Sequence, residues 1–249
     1  MHSSLIAVMV LVALGCRWGW RSREDAWSSR WQSAWLAFCL PPLMILSAAM
    51  AVLLMGHHGT MMGRSVSPLG CRISLGVVGL AISAILYSLL KALRLQLTLS
   101  QYSIILLPTG ERARLLETSI PVAAQVGFWR SALLVSRGWL TQLSTAEQQA
   151  ILHHEQAHIH YRDPLWFFGL GMVRRFTAWL PQTEAIWQEL LLLREIRADR
   201  WAAQQTEPLL VAELLVKLTR QNGRLLHHSS TARHRLQQCP QPGALGTTG

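Results

Sequence analysis

Charged side chains are scarce in this 249-residue sequence, and acidic ones are the scarcest. Only 14% of the residues are charged and 51% are hydrophobic, and 13 Asp and Glu stand against 23 Lys and Arg, for a formal net charge of +10. So few charges exclude an ordinary soluble domain and indicate contact with a lipid bilayer. A basic balance is also typical of nucleic-acid binding. Here the basic residues cluster beside apolar runs, which favours a membrane protein without a nucleic-acid partner.

Cysteine is also sparse, with four residues at positions 16, 39, 71 and 239 and no pair at C-x-x-C spacing. This pattern excludes a disulfide framework and a cysteine-based zinc site. Tryptophan, by contrast, occurs eleven times, and five of these residues lie between Trp18 and Trp35 at the edges of apolar segments. Tryptophan rings at such positions are typical of the membrane–water interface.

Three apolar runs predict transmembrane helices in a first domain, residues 1–94, at about residues 5–16, 34–55 and 73–90. The second run is about 22 residues long, enough to cross a bilayer, and its Pro41-Pro42 pair is expected to kink it. The loop before it carries more arginines than the loop after it. This bias predicts a multi-pass protein with the chain after Arg94 in the cytoplasm. The arginines counted are Arg17, Arg21, Arg23 and Arg30 before the run, and Arg64 and Arg72 after it.

The stretch His154-Glu155-Gln156-Ala157-His158 has the pattern H-E-x-x-H. On a helix, residues four apart share one face, so His154 and His158 can direct two imidazole nitrogens at one ion. This spacing suits one tetrahedral Zn²⁺, and Glu155 can then act as general base toward a zinc-activated water.

Helix signals surround this motif. Ser144-Thr-Ala-Glu147 predicts a capping box at the start of the helix, and Asp163-Pro164 predicts its end. The alternative is a surface helix that is merely rich in His and Glu. The phase argues against it, because both histidines fall on the same stripe as Ile151, which is expected to face the core.

A second helix is predicted from Thr183 to about Gln204, with Glu195 and Asp199 four residues apart on one face. A zinc enzyme needs a third protein ligand, and Glu195 is the best candidate because it stands in an otherwise apolar stretch. Asp199 can accept the N–H of a ligating histidine and fix its tautomer, a second-shell role. The alternative for Glu195 is a solvated salt bridge with Arg194 or Arg197.

The remaining sequence is less specific. Strands are predicted at Arg112–Thr118 and Phe128–Ser136, with a turn at Arg137-Gly138. His153 and His160 are poorly phased to share the metal and are interpreted as surface or supporting residues. A zinc-binding domain is predicted over residues 95–224, followed by a disordered tail at 225–249.

The segment 165–180 is apolar but contains Arg174 and Arg175, which makes a membrane crossing costly. A single crossing would also place His158 and Glu195 on opposite faces of the bilayer. We therefore expect an interfacial or re-entrant segment, a tight hairpin, or a part of the domain core. Trp166 and Trp179 are expected at the membrane interface.

The pattern His154-Glu-x-x-His158 followed by Glu195-x-x-Ala-Asp199 resembles the gluzincin membrane metallopeptidases. The stretch from His158 to Pro164 and the three preceding spans resemble the BlaR/MecR type more than its HtpX and CAAX-prenyl-protease sibling, whereas the stretch from Glu195 to Ala202 resembles the HtpX type about equally. Either resemblance implies a bacterial inner or plasma membrane. The resemblance covers about residues 112–221. It implies a mainly α membrane protein with a small α+β, zincin-like domain. It also implies His154, His158 and Glu195 as zinc ligands, Glu155 as catalytic base, Asp199 as the orienting carboxylate, and an edge strand over the metal helix that pairs with the substrate.

We therefore expect a membrane-embedded zinc endopeptidase that hydrolyses peptide bonds of protein substrates. One alternative is a regulatory signalling protease of the BlaR/MecR type that cuts itself, a repressor or a membrane protein. Another is a scaffold that binds zinc without catalysis. No segment resembles a penicillin-binding sensor domain, so a β-lactam-sensing role is not expected.

Overall fold

The computed structural model describes residues 2–22, 26–55, 60–61, 64–65, 68–129, 131–207, 209–210 and 213–214. Across these ranges the chain is mainly helical and contains a small mixed sheet. Three long helices come first: α1 (His2–Trp18), α2 (Trp27–Met55) and α3 (Pro68–Ser100). The predicted tail at 225–249 lies outside the described residues.

Two helices are long and apolar enough to cross a membrane, namely α2 and α3, each with a mean hydropathy of 2.2 over its most apolar window. They coincide with two of the three predicted spans. The third prediction falls on α1, a 17-residue helix that is short for a span of about 20 residues. Large side chains on α3 point outward, and Leu75, Leu86, Leu90 and Leu93 are each more than half exposed. Such a surface needs an apolar partner.

The prolines in α2 explain a buried arginine. The helix continues through Pro41 and Pro42, although Pro42 has no N–H to donate to the carbonyl of Phe38. Arg17, in the last turn of α1 and fully buried, donates from Nη2 to that carbonyl at 3.1 Å. Arg30, in α2, forms an ion pair with Glu189 at 2.7 Å. Two of the arginines counted as loop charges therefore lie in helices, and the orientation in the membrane stays a prediction.

The main sheet has four strands, which are β3 (Ile104–Leu106), β4 (Arg112–Leu116), β5 (Ala123–Val126) and β6 (Ala132–Ser136). Their order in the sheet is β3-β4-β6-β5. Its central pair, β4 and β6, is parallel, and the two outer pairings are antiparallel. The predicted strands correspond to β4 and β6, each somewhat shorter than expected, whereas β3 and β5 were not predicted. Two further strands of two residues each, β1 (Thr60–Met61) and β2 (Arg64–Ser65), form a separate antiparallel pair.

The turn predicted at Arg137-Gly138 is wrong, because these residues begin the short helix α4 (Arg137–Gln142). The Ser136 hydroxyl caps this helix by accepting from the Trp139 N–H at 3.0 Å. Glycine at 138 serves close packing here, since a Cβ would lie 2.1 Å from the Ser119 carbonyl oxygen. A cap signal was thus mistaken for a turn signal.

The last three helices are α5 (Thr145–His160), α6 (Asp163–Phe176) and α7 (Thr183–Gln205). The predicted capping box is present at the start of α5, where the Ser144 hydroxyl accepts from the Glu147 N–H and the Glu147 carboxylate accepts from the Ser144 N–H. The α5 helix ends before Asp163-Pro164, as predicted, and α7 exceeds its predicted range by one residue. A local capping signal therefore defines the start of α5, whereas α7 begins after Gln182 without a side-chain cap.

Helix α6 excludes one of the alternatives for segment 165–180, the tight hairpin. It is one helix rather than a hairpin, and it contacts α2, α3, α5 and α7. Phe167 and Leu170 are buried in a cluster with residues of α2 and α7, and Phe176 packs against α3. The segment therefore packs against the rest of the protein as a helix, and an interfacial or re-entrant position in the membrane stays a prediction. Trp166 and Trp179 are about half exposed, and their place at a membrane interface stays a prediction.

Candidate metal centre

Helices α5 and α7 pack side by side and bring three potential ligands to one point. The Nε2 atom of His154 lies 3.2 Å from Nε2 of His158 and 3.2 Å from Oε2 of Glu195. The third distance, from His158 Nε2 to Glu195 Oε2, is 3.8 Å. A tetrahedral zinc with bonds of about 2.0–2.1 Å needs ligand atoms about 3.3–3.4 Å apart. The three atoms therefore fit one small divalent cation without rearrangement.

Each imidazole is oriented by a carboxylate on its far side. Asp199 Oδ1 lies 2.9 Å from Nδ1 of His154, and Asp163 Oδ2 lies 2.9 Å from Nδ1 of His158. An Nδ1–H donated to each carboxylate leaves the Nε2 lone pairs directed at the shared point, which is the tautomer that a metal requires.

The sequence pattern predicts Asp199 as an orienting residue, but it does not predict this role for Asp163. Asp163 is the first residue of α6 and precedes Pro164. Its presence in the sequence was therefore explained fully by the boundary between two helices, and no second role was sought. A second signal was available, because Asp163 follows His158 by only five residues and the link between α5 and α6 is short. The structure shows that the two helices turn sharply at Arg162, whose φ is +54°. This turn brings Asp163 back to His158.

Glu195 divides its two oxygens between two partners. Oε2 faces the imidazoles, while Oε1 accepts from Nε of Arg194 at 2.8 Å. The guanidinium of Arg194 lies over the ring of Phe167, with Cζ 4.8 Å from the centroid. The salt bridge considered as an alternative for Glu195 is therefore present, and it leaves the second oxygen available to a metal.

The electrostatics of the site favour a proton on His154 when no metal is bound. Burial by itself lowers the pKa of His154, but hydrogen bonds to Asp199 and Glu195 and the charges of Glu195 and Glu155 outweigh it and raise the pKa to about 10. Burial by itself raises the pKa of Glu195, yet the hydrogen bond to His154 and the charge of Arg194 lower it to about 2. A cation at this point would replace that proton.

Glu155 points from α5 toward the edge of the sheet. Its Oε2 accepts from the backbone N–H of Gln125 in β5 at 2.7 Å. Burial raises the pKa of Glu155, and the charges of His158 and His154 and the hydrogen bond from Gln125 oppose this in part. Glu155 is therefore a buried carboxylate with an elevated proton affinity beside the candidate ligands.

Among the described residues, strand β5 is an outer strand of the sheet, and it lies against α5. Just before β5, the Val122 carbonyl faces β6, because it accepts from the Ser136 N–H at 2.8 Å. Along an antiparallel edge strand, residues whose backbone groups face the neighbouring strand alternate with residues whose backbone groups face outward. Ala124 therefore faces β6, whereas Ala123 and Gln125 direct their backbone groups outward. An edge strand therefore lies beside α5, and it is β5 rather than either predicted strand; its pairing with a substrate, which the resemblance implies, stays a prediction.

The other two histidines of α5 have separate partners. His153 Nδ1 lies 3.1 Å from Oε1 of Gln156, and the His160 ring packs on Trp201 at 4.4 Å between centroids. Within the described ranges, the group able to hold a metal consists of His154, His158 and Glu195. No model of a known protein family matches the chain, and no curated protein matches it either.

Proposed function

We propose that this protein is a membrane-anchored zinc metalloendopeptidase. The observation that supports this most is the tetrahedral spacing of His154 Nε2, His158 Nε2 and Glu195 Oε2 with Glu155 beside them. Two imidazoles and one carboxylate are typical of catalytic zinc sites, whereas structural sites use four protein ligands that are rich in cysteine. The sequence has no cysteine within this region, so zinc in a catalytic ligand set is the best match.

His154, His158 and Glu195 would hold the ion, which when bound polarises the scissile carbonyl and lowers the pKa of water toward ~7. Glu155 takes the proton from the attacking water and passes it to the leaving amine. Its raised pKa suits both steps, because a carboxylate of ordinary acidity would be a weaker base. Asp163 and Asp199 keep the two imidazoles in the required tautomer.

The free edge of β5 offers a place for an extended substrate. The outward backbone groups of Ala123 and the carbonyl of Gln125 can pair with a peptide backbone that runs along the strand. The Gln125 N–H is bonded to Glu155, so the strand and the base are in register with each other. Recognition through backbone groups is tolerant of side chains, which suits a protease with protein substrates.

We also propose that α2 and α3 cross the bilayer and hold the catalytic domain at its cytoplasmic side. The long apolar helices and the exposed leucines of α3 support this placement. The substrates would then be membrane proteins, a repressor or the protein itself.

The test compares the parent with Glu155→Gln, both purified in detergent, for zinc content and for cleavage of casein and of the protein itself. Both proteins should bind about one zinc, while the Gln variant should cleave about 10²–10⁴-fold more slowly. Glu184→Gln, an exposed position on α7, is the matched control and should behave as the parent. Equal cleavage by Glu155→Gln would refute the proposal. A zinc-loaded parent that cleaves nothing would favour the scaffold.

A further inference from the structure

The carboxylate that orients His158 is itself held by a cation. Asp163 is almost fully buried, and while Oδ2 meets His158 Nδ1, Oδ1 accepts a hydrogen bond from Nη2 of Arg197. A buried carboxylate without a cationic partner would be costly. The position of Asp163, and through it that of the His158 ring, therefore depends on Arg197.

Three aromatic rings surround the guanidinium of Arg197. Its Cζ lies 4.0 Å from the ring centroid of Tyr161, 5.2 Å from that of Trp31 and 5.8 Å from that of Trp27. Trp27 and Trp31 stand one turn apart at the start of α2, and their rings stack at 5.5 Å between centroids. The buried Nε of Arg197 has no hydrogen-bond partner among the described residues, so the rings and Asp163 hold the side chain.

The same end of α2 is attached to α7 at two further points. The indole N–H of Trp27 donates to the Leu193 carbonyl at 2.9 Å, and Arg30 pairs with Glu189 at 2.7 Å. Residues 189, 193 and 197 are spaced by four and form one stripe along α7. The first turns of α2 therefore lie along the helix that also carries Glu195 and Asp199.

We propose that Arg197 is a positioning residue for His158, and that Trp27 and Trp31 make its placement depend on the seating of α2. Displacement of this end of α2 would release Arg197, loosen Asp163 and leave the His158 imidazole free to rotate. His154 is served differently, by Asp199 on α7 itself. The inference rests on the proposed metal centre, and it makes a helix proposed to span the membrane a control element of that centre.

The test measures zinc affinity by chelator competition and the visible spectrum of the Co²⁺-loaded protein in detergent. Arg197→Met and the double variant Trp27→Leu/Trp31→Leu should each weaken zinc binding by about 10–100-fold and alter the Co²⁺ bands. Trp27→Phe/Trp31→Phe keeps the rings and should recover most of the affinity. Arg200→Met, at an exposed position on the same helix, should stay within about twofold of the parent.

Parent-like affinity and spectra in folded Arg197→Met would overturn the inference while the proposed function stands. A parent that binds neither Zn²⁺ nor Co²⁺ would overturn both. If Arg197→Met loses its helical circular dichroism, Arg197→Lys decides the question, because it keeps the charge but not the planar group that stacks on the rings. Weaker zinc binding in folded Arg197→Lys supports the role, and unchanged binding contradicts it.

Discussion

The two imidazoles of the centre are supported in different ways. His154 is oriented by Asp199, a carboxylate that is 28% exposed and belongs to the same helix as Glu195. His158 is oriented by Asp163, which is 3% exposed, comes from α6 and is braced by Arg197. One half of the site is therefore local to α5 and α7, whereas the other half depends on how α6 and α2 pack. A metal-binding motif that is local in sequence can therefore still depend on tertiary contacts with distant parts of the chain.

Removal of Glu195, the proposed zinc ligand that lies beside both imidazoles, should reduce zinc affinity the most. Glu195→Ala leaves two nitrogens and removes the charged ligand, so zinc affinity should fall by more than the ~100-fold upper range for a supporting residue. Chelator competition measures the affinity, and Glu184→Ala at an exposed position of the same helix is the control. Retention of parental affinity would show that Glu195 is not a ligand.

The comparison itself is tested by changing the two orienting carboxylates one at a time. Asp163→Asn and Asp199→Asn should each weaken zinc binding by about 10–100-fold, with Asp163→Asn the stronger, because it also leaves the partly buried Arg197 without a charged partner. Both affinities are measured in the same competition assay. A stronger effect of Asp199→Asn would reverse the assignment of the braced side.

Competition between zinc and the proton on His154 should make zinc affinity depend on pH. The folded pKa of His154 is about 10, above its ordinary 6.5, so its contribution to the stability of the metal-free protein is complete below pH 6.5 and lost as the pH rises through 10. The pKa of Glu195 is about 2, below 4.5, so its contribution is complete above pH 4.5 and lost as the pH falls through 2. Zinc must displace the His154 proton, and its affinity should therefore rise by about tenfold per pH unit between pH 7 and 9.

Titration of zinc affinity at several pH values checks this slope. In Asp199→Asn the proton on His154 loses one acceptor, so the slope should flatten at a lower pH than in the parent. Affinity that does not change between pH 7 and 9 would contradict the protonated state of His154.

The smallest effect concerns both imidazoles equally. Ser144→Ala removes the hydroxyl that caps α5 and should lower the free energy of unfolding by about 0.5–2 kcal/mol, while Ser144→Gly should cost only a few tenths of a kcal/mol. Denaturant midpoints measure the stability, and zinc affinity should change little. A change in affinity at Ser144 comparable to that of Asp163→Asn would mean that helix ends, rather than the orienting carboxylates, control the site.

Local signals account for the parts of the structure that were predicted correctly. The capping box at Ser144, Asp163-Pro164 and the four-residue spacings depend on neighbours in sequence, so α5, α7 and the pairing of His154 with His158 followed from them. Glu195 joins this pair in the structure, and it was expected there because a zinc site needs a third ligand and because the resemblance implies it. Zinc and peptidase activity stay predictions.

Non-local contacts account for what was missed. β5 is a short edge strand whose identity depends on pairing with β6, and its sequence Ala-Ala-Gln-Val carries little strand signal. The role of Asp163 depends on the turn at Arg162, and that of Arg197 on the approach of α2. Arg17 was interpreted as a loop charge because the carbonyl it satisfies, at Phe38, is 21 residues away.

Zinc K-edge X-ray absorption of the purified parent tests whether His154, His158 and Glu195 hold the ion, because the spectrum reports the ligands of the zinc itself. We expect one zinc per chain with two imidazole nitrogens and low-atomic-number oxygen ligands at about 2.0–2.1 Å, and the loss of this signature in His158→Ala. A spectrum with sulfur ligands, or one that is unchanged in His158→Ala, would show that zinc binds elsewhere and would contradict the proposed centre.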